Sequence, residues 1–131
     1  MNGDSLIITD LKILFSQMSA NSEFSLFGIE MYDCSRYGTL EINAEGGLVK
    51  FNEKTHAVSG IINSGIYYTT KTFFKKQASS KSPLSLEYDF IPDLLQGGHN
   101  VKVVTKENIP FIDIGTFSSL AEADGFIKKY F

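Results

Sequence analysis

Phe111-Ile112-Asp113-Ile114-Gly115-Thr116 sets one carboxylate inside a short apolar run. Phe111, Ile112 and Ile114 suffice for a buried strand end. A carboxylate there is costly unless a cation, a metal or several hydrogen bonds meet it. Gly115 lets the chain turn closely, and Thr116 is placed to cap a following helix. Ser119 with Glu122 also has the capping-box spacing, so two helix starts, one turn apart, are open. Leu120, Ala123, Ile127 and Tyr130 recur at helical intervals and predict an apolar stripe. An acid is thus expected at a strand-to-helix junction, where open α/β sheets place their ligands. The plainer alternative has Asp113 capping the helix or pairing with a core Lys or Arg.

The chain around this stretch has 131 residues, which allows one domain, residues 1–131. Its hydrophobic fraction of 43% and charged fraction of 21% are those of an ordinary globular protein. A formal net charge of −3 argues against a nucleic-acid or anionic-membrane surface. The single cysteine, Cys34, cannot form an internal disulfide and fits a reducing cytoplasm. No apolar run approaches the ~20 residues of a membrane span, and the N-terminus has no signal-peptide pattern. With 11 Phe and 6 Tyr there is bulk for a substantial core.

Asn2-Gly3-Asp4-Ser5 precedes the apolar Leu6-Ile7-Ile8. Asp4 reads either as a solvated acid in a turn or as a strand-end carboxylate. Asp10 opens a helix with Leu11, Leu14, Phe15 and Met18 on one face. Residues 24–31 read as a strand. Residues 38–42 and 48–51 read as two more, joined by the glycine-bearing loop 43–47. Gly38 has no Cβ to hold off an approaching group, or simply starts its strand. Glu53-Lys54 closes the second strand of the hairpin, where neighbouring side chains are expected on opposite faces. The two charges are either a solvated pair or cleft residues.

Ile61-Ile62-Asn63-Ser64-Gly65-Ile66-Tyr67-Tyr68 is the most strand-like run. Asn63 both donates and accepts, the type that reads sugar hydroxyls, or it is a core amide satisfied by backbone. Residues 70–76 read as a short helix and 77–82 as a serine-rich surface loop. Ser85 is placed as an N-cap, with Pro92 beginning a new turn and Gly97-Gly98 stopping the segment. Glu87 and Asp89 suit the first turn's dipole. Val101, Val103 and Val104 form a strand leading back to Phe111. His56 and His99 lie in loop-like stretches without zinc spacing. Nucleophile elbow, Ser/His/Asp arrangement and glycine-rich phosphate loop are all missing.

Five segments occur in a telling order: Asn2-Gly3-Asp4, Ser35-Arg36-Tyr37-Gly38, Phe51-Asn52-Glu53-Lys54, residues 62–68 with 85–92, and Phe111-Ile112-Asp113-Ile114-Gly115-Thr116. Together they resemble the sugar-1-phosphate nucleotidyltransferases. The nearest wording is that of the bacterial D-glycero-D-manno-heptose 1-phosphate guanylyltransferases. The resemblance implies transfer of a nucleoside monophosphate from an NTP to a sugar 1-phosphate, releasing pyrophosphate, with Mg2+. It implies Asp4 and Asp113 as catalytic Mg2+-binding carboxylates meeting at the C-terminal edge of one sheet. It implies Glu53 and Asn63 on the sugar, Lys54 on its phosphate, Gly38 offering backbone, and Glu87 as a further substrate residue. The implied fold class is α/β, a mixed sheet with flanking helices.

The resemblance covers only the sugar-binding, C-terminal portion of that family. The expectation is a partial Rossmann-like nucleotidyltransferase domain lacking its N-terminal nucleotide-binding half, with the triphosphate grip and base-reading residues. Exposed apolar edges follow, repaired by a homo-oligomer or marking a truncated chain. The alternative function is a non-catalytic remnant that binds a sugar phosphate or partners a full-length nucleotidyltransferase. Neither nucleic acid nor membrane is expected as a partner.

Overall fold

Phe24–Met31 (β2) is the strand the other elements pack around, and its alternation shows why. Phe24 and Leu26 enter one core cluster while Phe27 and Ile29 enter a second on the opposite face. A strand apolar on both sides belongs in the middle of a sheet. The computed structural model describes residues 2–54, 59–78 and 85–131. His56 and residues 79–82 of the serine-rich loop lie outside the described residues.

Thr39–Ile42 (β3), Leu48–Asn52 (β4), Gly60–Thr69 (β5) and Lys102–Glu107 (β6) join β2 in a five-stranded sheet of order β4-β3-β5-β2-β6. The β2–β6 pair is parallel and the other pairs are antiparallel, so the sheet is mixed. Ser5–Ile7 (β1) and Phe111–Asp113 (β7) form a separate antiparallel ribbon. The sheet also curls. The hairpin tip between β3 and β4 reaches the start of β6, where Leu48 N donates to Val101 O and Val103 N to Gly46 O. Leu40, Leu48, Val101 and Val103 are buried inside this curl against Phe73, Phe90, Ile91 and Leu94 from the helical side. Each such side chain adds roughly 1.5–3 kcal/mol by leaving water.

Side-chain caps open the helices. Asp10 accepts from Lys12 N and Ile13 N at the head of Leu11–Ser19 (α1). Thr70 caps Lys71–Gln77 (α2). Ser85 heads Leu86–Phe90, which winds as a wide π-helical turn and then tightens into Ile91–Gln96 (α3), with Gly97 at its end. Of the two starts for the last helix, Thr116 is the cap of Phe117–Tyr130 (α4), in reciprocal hydrogen bonding with Ser119.

Two apolar stripes differ from expectation. On α1, Leu14 and Met18 are buried but Leu11 and Phe15 are exposed. On α4, only Ala123 of the stripe is buried; Leu120, Ile127 and Tyr130 face outward, and Phe117 is 94% exposed. A 3.6-residue period marks one face of a helix but does not say that anything covers it. Among the described residues, no helix is long and apolar enough to cross a membrane.

Candidate functional site

A cavity of about 790 Å3 opens between the β3–β4 hairpin, β5, the π-helical turn and the head of α4. Gly38, Glu53, Lys54, Asn63, Glu87 and Asp113 all line it, with Arg36 and Tyr37. The sequence scatters these residues over 75 positions or more, and the sheet topology gathers them.

One end is built on a bulge. β2 and β5 run in register as far as Gly28↔Asn63 and resume at Leu26↔Tyr67, so β5 has two extra residues there. Gly65 takes φ +73° in the bulge, and a Cβ on it would stand 2.7 Å from the Asn2 side chain. Both facts require glycine. Gly65 N donates to Asn63 Oδ1 at 3.1 Å, and the buried Ser64 hydroxyl donates to Phe27 O at 2.7 Å. The bulge brings Asn63 and Tyr67 together. Asn63 Nδ2 donates to Tyr67 Oη at 2.7 Å and to Glu87 Oε1 at 2.8 Å, and Tyr67 Oη donates to Glu87 Oε1 at 2.6 Å. Burial, with the Glu87 carboxylate next in effect, pushes the Tyr67 hydroxyl far above its usual range, so it remains a donor.

Asn63 is thus satisfied within the fold: its oxygen takes a backbone N–H and both amide hydrogens go to Tyr67 and Glu87, while the residue lines the cavity. Glu87 is more than a dipole residue, since it accepts from two side chains of β5. Asp89 has the structural role instead, accepting from Ser85 N at 2.8 Å.

Glu53 and Lys54 depart from expectation. β4 ends at Asn52, so the pair lies beyond the strand, where strand alternation no longer applies, and both residues line the cavity. Gly38 has a packing reason of its own, because a Cβ there would stand 2.8 Å from Asn52 O. Arg36 reaches Glu122 of α4 at 3.8 Å, an exposed pair of small energetic weight.

The other end holds the acids. The antiparallel ribbon sets Ser5 opposite Asp113, and Ile114 N donates to Asp4 O at 2.7 Å. Asp4 precedes β1 and Asp113 ends β7. The two therefore meet on this small ribbon, not at the C-terminal edge of the main sheet. Gly115 N donates to Asp113 Oδ1 at 2.7 Å. A Cβ at Gly115 would stand 3.0 Å from Asp113 Oδ1 and 3.4 Å from Asp4 Oδ2, so one small hollow is flanked by both carboxylates. Thr116, not Asp113, caps α4, and Asp113 has no ion pair among the described residues. Two carboxylates suit Mg2+, which takes one or two and fills its remaining positions with water and phosphate oxygens. Among the described residues no group of three or more His, Cys, Asp or Glu is placed to hold a metal.

Tyr67 escaped the sequence reading. The signal was present, since a glycine inside an otherwise regular strand marks a bulge, but the shift in register it produces is not legible from one strand.

The model of the nucleotidyl transferase family matches residues 1–130. The D-glycero-alpha-D-manno-heptose 1-phosphate guanylyltransferase of Campylobacter jejuni is 36% identical over 75 residues, covering 56% of this chain and 32% of that protein. The glucose-1-phosphate adenylyltransferase of Clostridium perfringens is 26% identical over 123 residues, covering 89% of this chain and 31% of the relative. Among solved structures, HddC from Yersinia pseudotuberculosis superposes with a TM-score of 0.82 at 30% identity, over 97% of this chain and 53% of HddC. Its complex with GMP-PN gives 0.83 at 29% identity. The chain thus spans about a third of these curated relatives and about half of the structural neighbour.

Proposed function

The chain belongs to the nucleotidyl transferase family, and from that premise we propose that it forms the sugar-phosphate and metal half of a sugar-1-phosphate nucleotidyltransferase site. The reaction of the whole site is NTP plus sugar 1-phosphate giving NDP-sugar and pyrophosphate. The observation that carries the reading is one cavity with Asn63 and Glu87 at one end and Asp113 at the other, where Gly115 lies beside the Asp113 and Asp4 carboxylates.

Each residue then has a task. Asn63, Glu87 and Glu53 take the sugar hydroxyls. Lys54, with Arg36 nearby, meets the phosphate that gives the substrate its charge. Asp4 and Asp113 would hold Mg2+, which supplies neutralisation of phosphate charge when bound. Gly38 keeps the strand close to Asn52 and so shapes the wall. The grip on the triphosphate is assigned to the part of the fold beyond the half spanned here.

Calorimetric titration with heptose, mannose and glucose 1-phosphates in Mg2+ tests this. Saturable binding of at least one is expected, lost for the free sugar. A folded protein that binds none of the three overturns the reading. A second reading is a sugar-phosphate-binding module without turnover. Pyrophosphate release by the chain alone would eliminate it.

A further inference from the structure

Two irregularities of the fold meet at one carboxylate. The bulge in β5 interrupts the ladder with β2, and residues 86–90 wind more widely than an α-helix. Both forms are uncommon and locally unfavourable, and both concentrate at functional sites. Asn63 and Tyr67 flank the bulge, and Glu87 sits on the wide turn. In a regular strand Asn63 and Tyr67 would be about 13 Å apart along the axis. Here their side chains bond to each other and to Glu87 Oε1.

The three members are not equivalent. Asn63 and Glu87 line the cavity, whereas Tyr67 does not. Tyr67 stands behind them, its ring packed at 6.4 Å from that of Phe24. Every hydrogen bond to Glu87 among the described residues ends on Oε1. A carboxylate has about four acceptor positions on its two oxygens, so Oε2 retains capacity for a donor from the cavity.

We infer that Tyr67 is a positioning residue for substrate: by holding Glu87 Oε1 it aims Oε2 at one hydroxyl of the sugar in a sugar 1-phosphate. This rests on the proposed function. A glutamate has several rotatable bonds, and fixing one in advance lowers the entropy lost on binding. Because the clamp donates to the carboxylate, it favours a ligand hydroxyl over a ligand carbonyl at that point.

The test compares a sugar 1-phosphate with its mono-deoxy analogues and with inorganic phosphate, for the wild-type chain and Tyr67→Phe. Wild type is expected to prefer the hydroxylated ligand over one deoxy analogue by about tenfold, the worth of a hydrogen bond to a charged group. Tyr67→Phe is expected to bind inorganic phosphate as wild type does, with that preference reduced to about threefold or less. A measurement on the wild type covers the case in which the variant does not fold. The Tyr67 hydroxyl proton, held by Glu87, should give a slowly exchanging NMR resonance that moves with the sugar 1-phosphate and not with inorganic phosphate. An unmoved resonance overturns the inference. So does a Tyr67→Phe protein with undiminished preference, or one that loses all ligands equally. If wild type binds no sugar 1-phosphate, the functional reading itself has failed and the inference falls with it.

Discussion

The two ends of the cavity are held in different ways. The Asn63–Tyr67–Glu87 end stands on β5, paired to the central strand, and is locked by side-chain hydrogen bonds. The Asp4–Asp113 end stands on a ribbon of two three-residue strands, backed by a helix with most of its apolar stripe exposed. A two-stranded ribbon is marginal alone. Recognition of a neutral sugar needs fixed geometry, because each hydroxyl bond is worth little unless its partner is already in place. Charge neutralisation tolerates more movement, because the attraction falls off slowly with distance. The difference teaches that the hydrogen-bonded end is fixed by the central sheet, whereas the acid end rests on a short ribbon and a partly uncovered helix.

The widest contrast should appear in amide exchange. Protons of β2 and β5 are expected to exchange on the order of a hundredfold more slowly than those of β1, β7 and α4. Equal protection at both ends would dissolve the comparison.

Asp113→Asn sharpens it chemically. Affinity for Mg2+ is expected to fall tenfold to hundredfold or more, read by titration in the presence of a sugar phosphate. The melting temperature should hardly move, since Asn keeps an Oδ1 that can accept from Gly115 N and preserves the side chain's shape. Unfolding with unaltered Mg2+ binding would return Asp113 to a structural role.

Gly65→Ala attacks the other end. The left-handed backbone adds about 1–2 kcal/mol, and the 2.7 Å approach to Asn2 adds to it. A drop of about 5 °C in thermal unfolding is expected, together with loss of the Asn63 side-chain amide signal from its hydrogen-bonded position. Thr116→Ala should be mildest, near 1 kcal/mol for a lost cap. Its effect is expected to stay within α4, seen as faster exchange there and unchanged exchange in β5.

The parts legible from sequence follow from local rules. Asp10 and Ser85 show themselves as caps because their side chains act within three residues. The strand at residues 24–31 and the helix positions likewise rest on local pattern. Asp113 stood out because an acid in an apolar run needs a reason. What escaped depends on distant partners. Glu53 and Lys54 look like opposite faces until the strand is seen to stop at Asn52. The α4 stripe looks buried until Leu120, Ile127 and Tyr130 are seen to be exposed. Tyr67 looks like one more strand aromatic until a two-residue slip sets its hydroxyl beside Asn63 and Glu87.

The hairpin tip has a consequence for anyone altering this protein. Loops of five residues ordinarily accept tags, insertions or new termini. The loop 43–47 is a different object. Asn43 Oδ1 accepts from Glu45 N and Gly47 N, and the tip is stitched to Val101 and Val103 on the far strand. It works as a clasp that keeps the sheet curled over its core. An insertion there would open the curl instead of lengthening a loop, so the place that invites engineering by its glycines and exposure is the one where the fold has no slack.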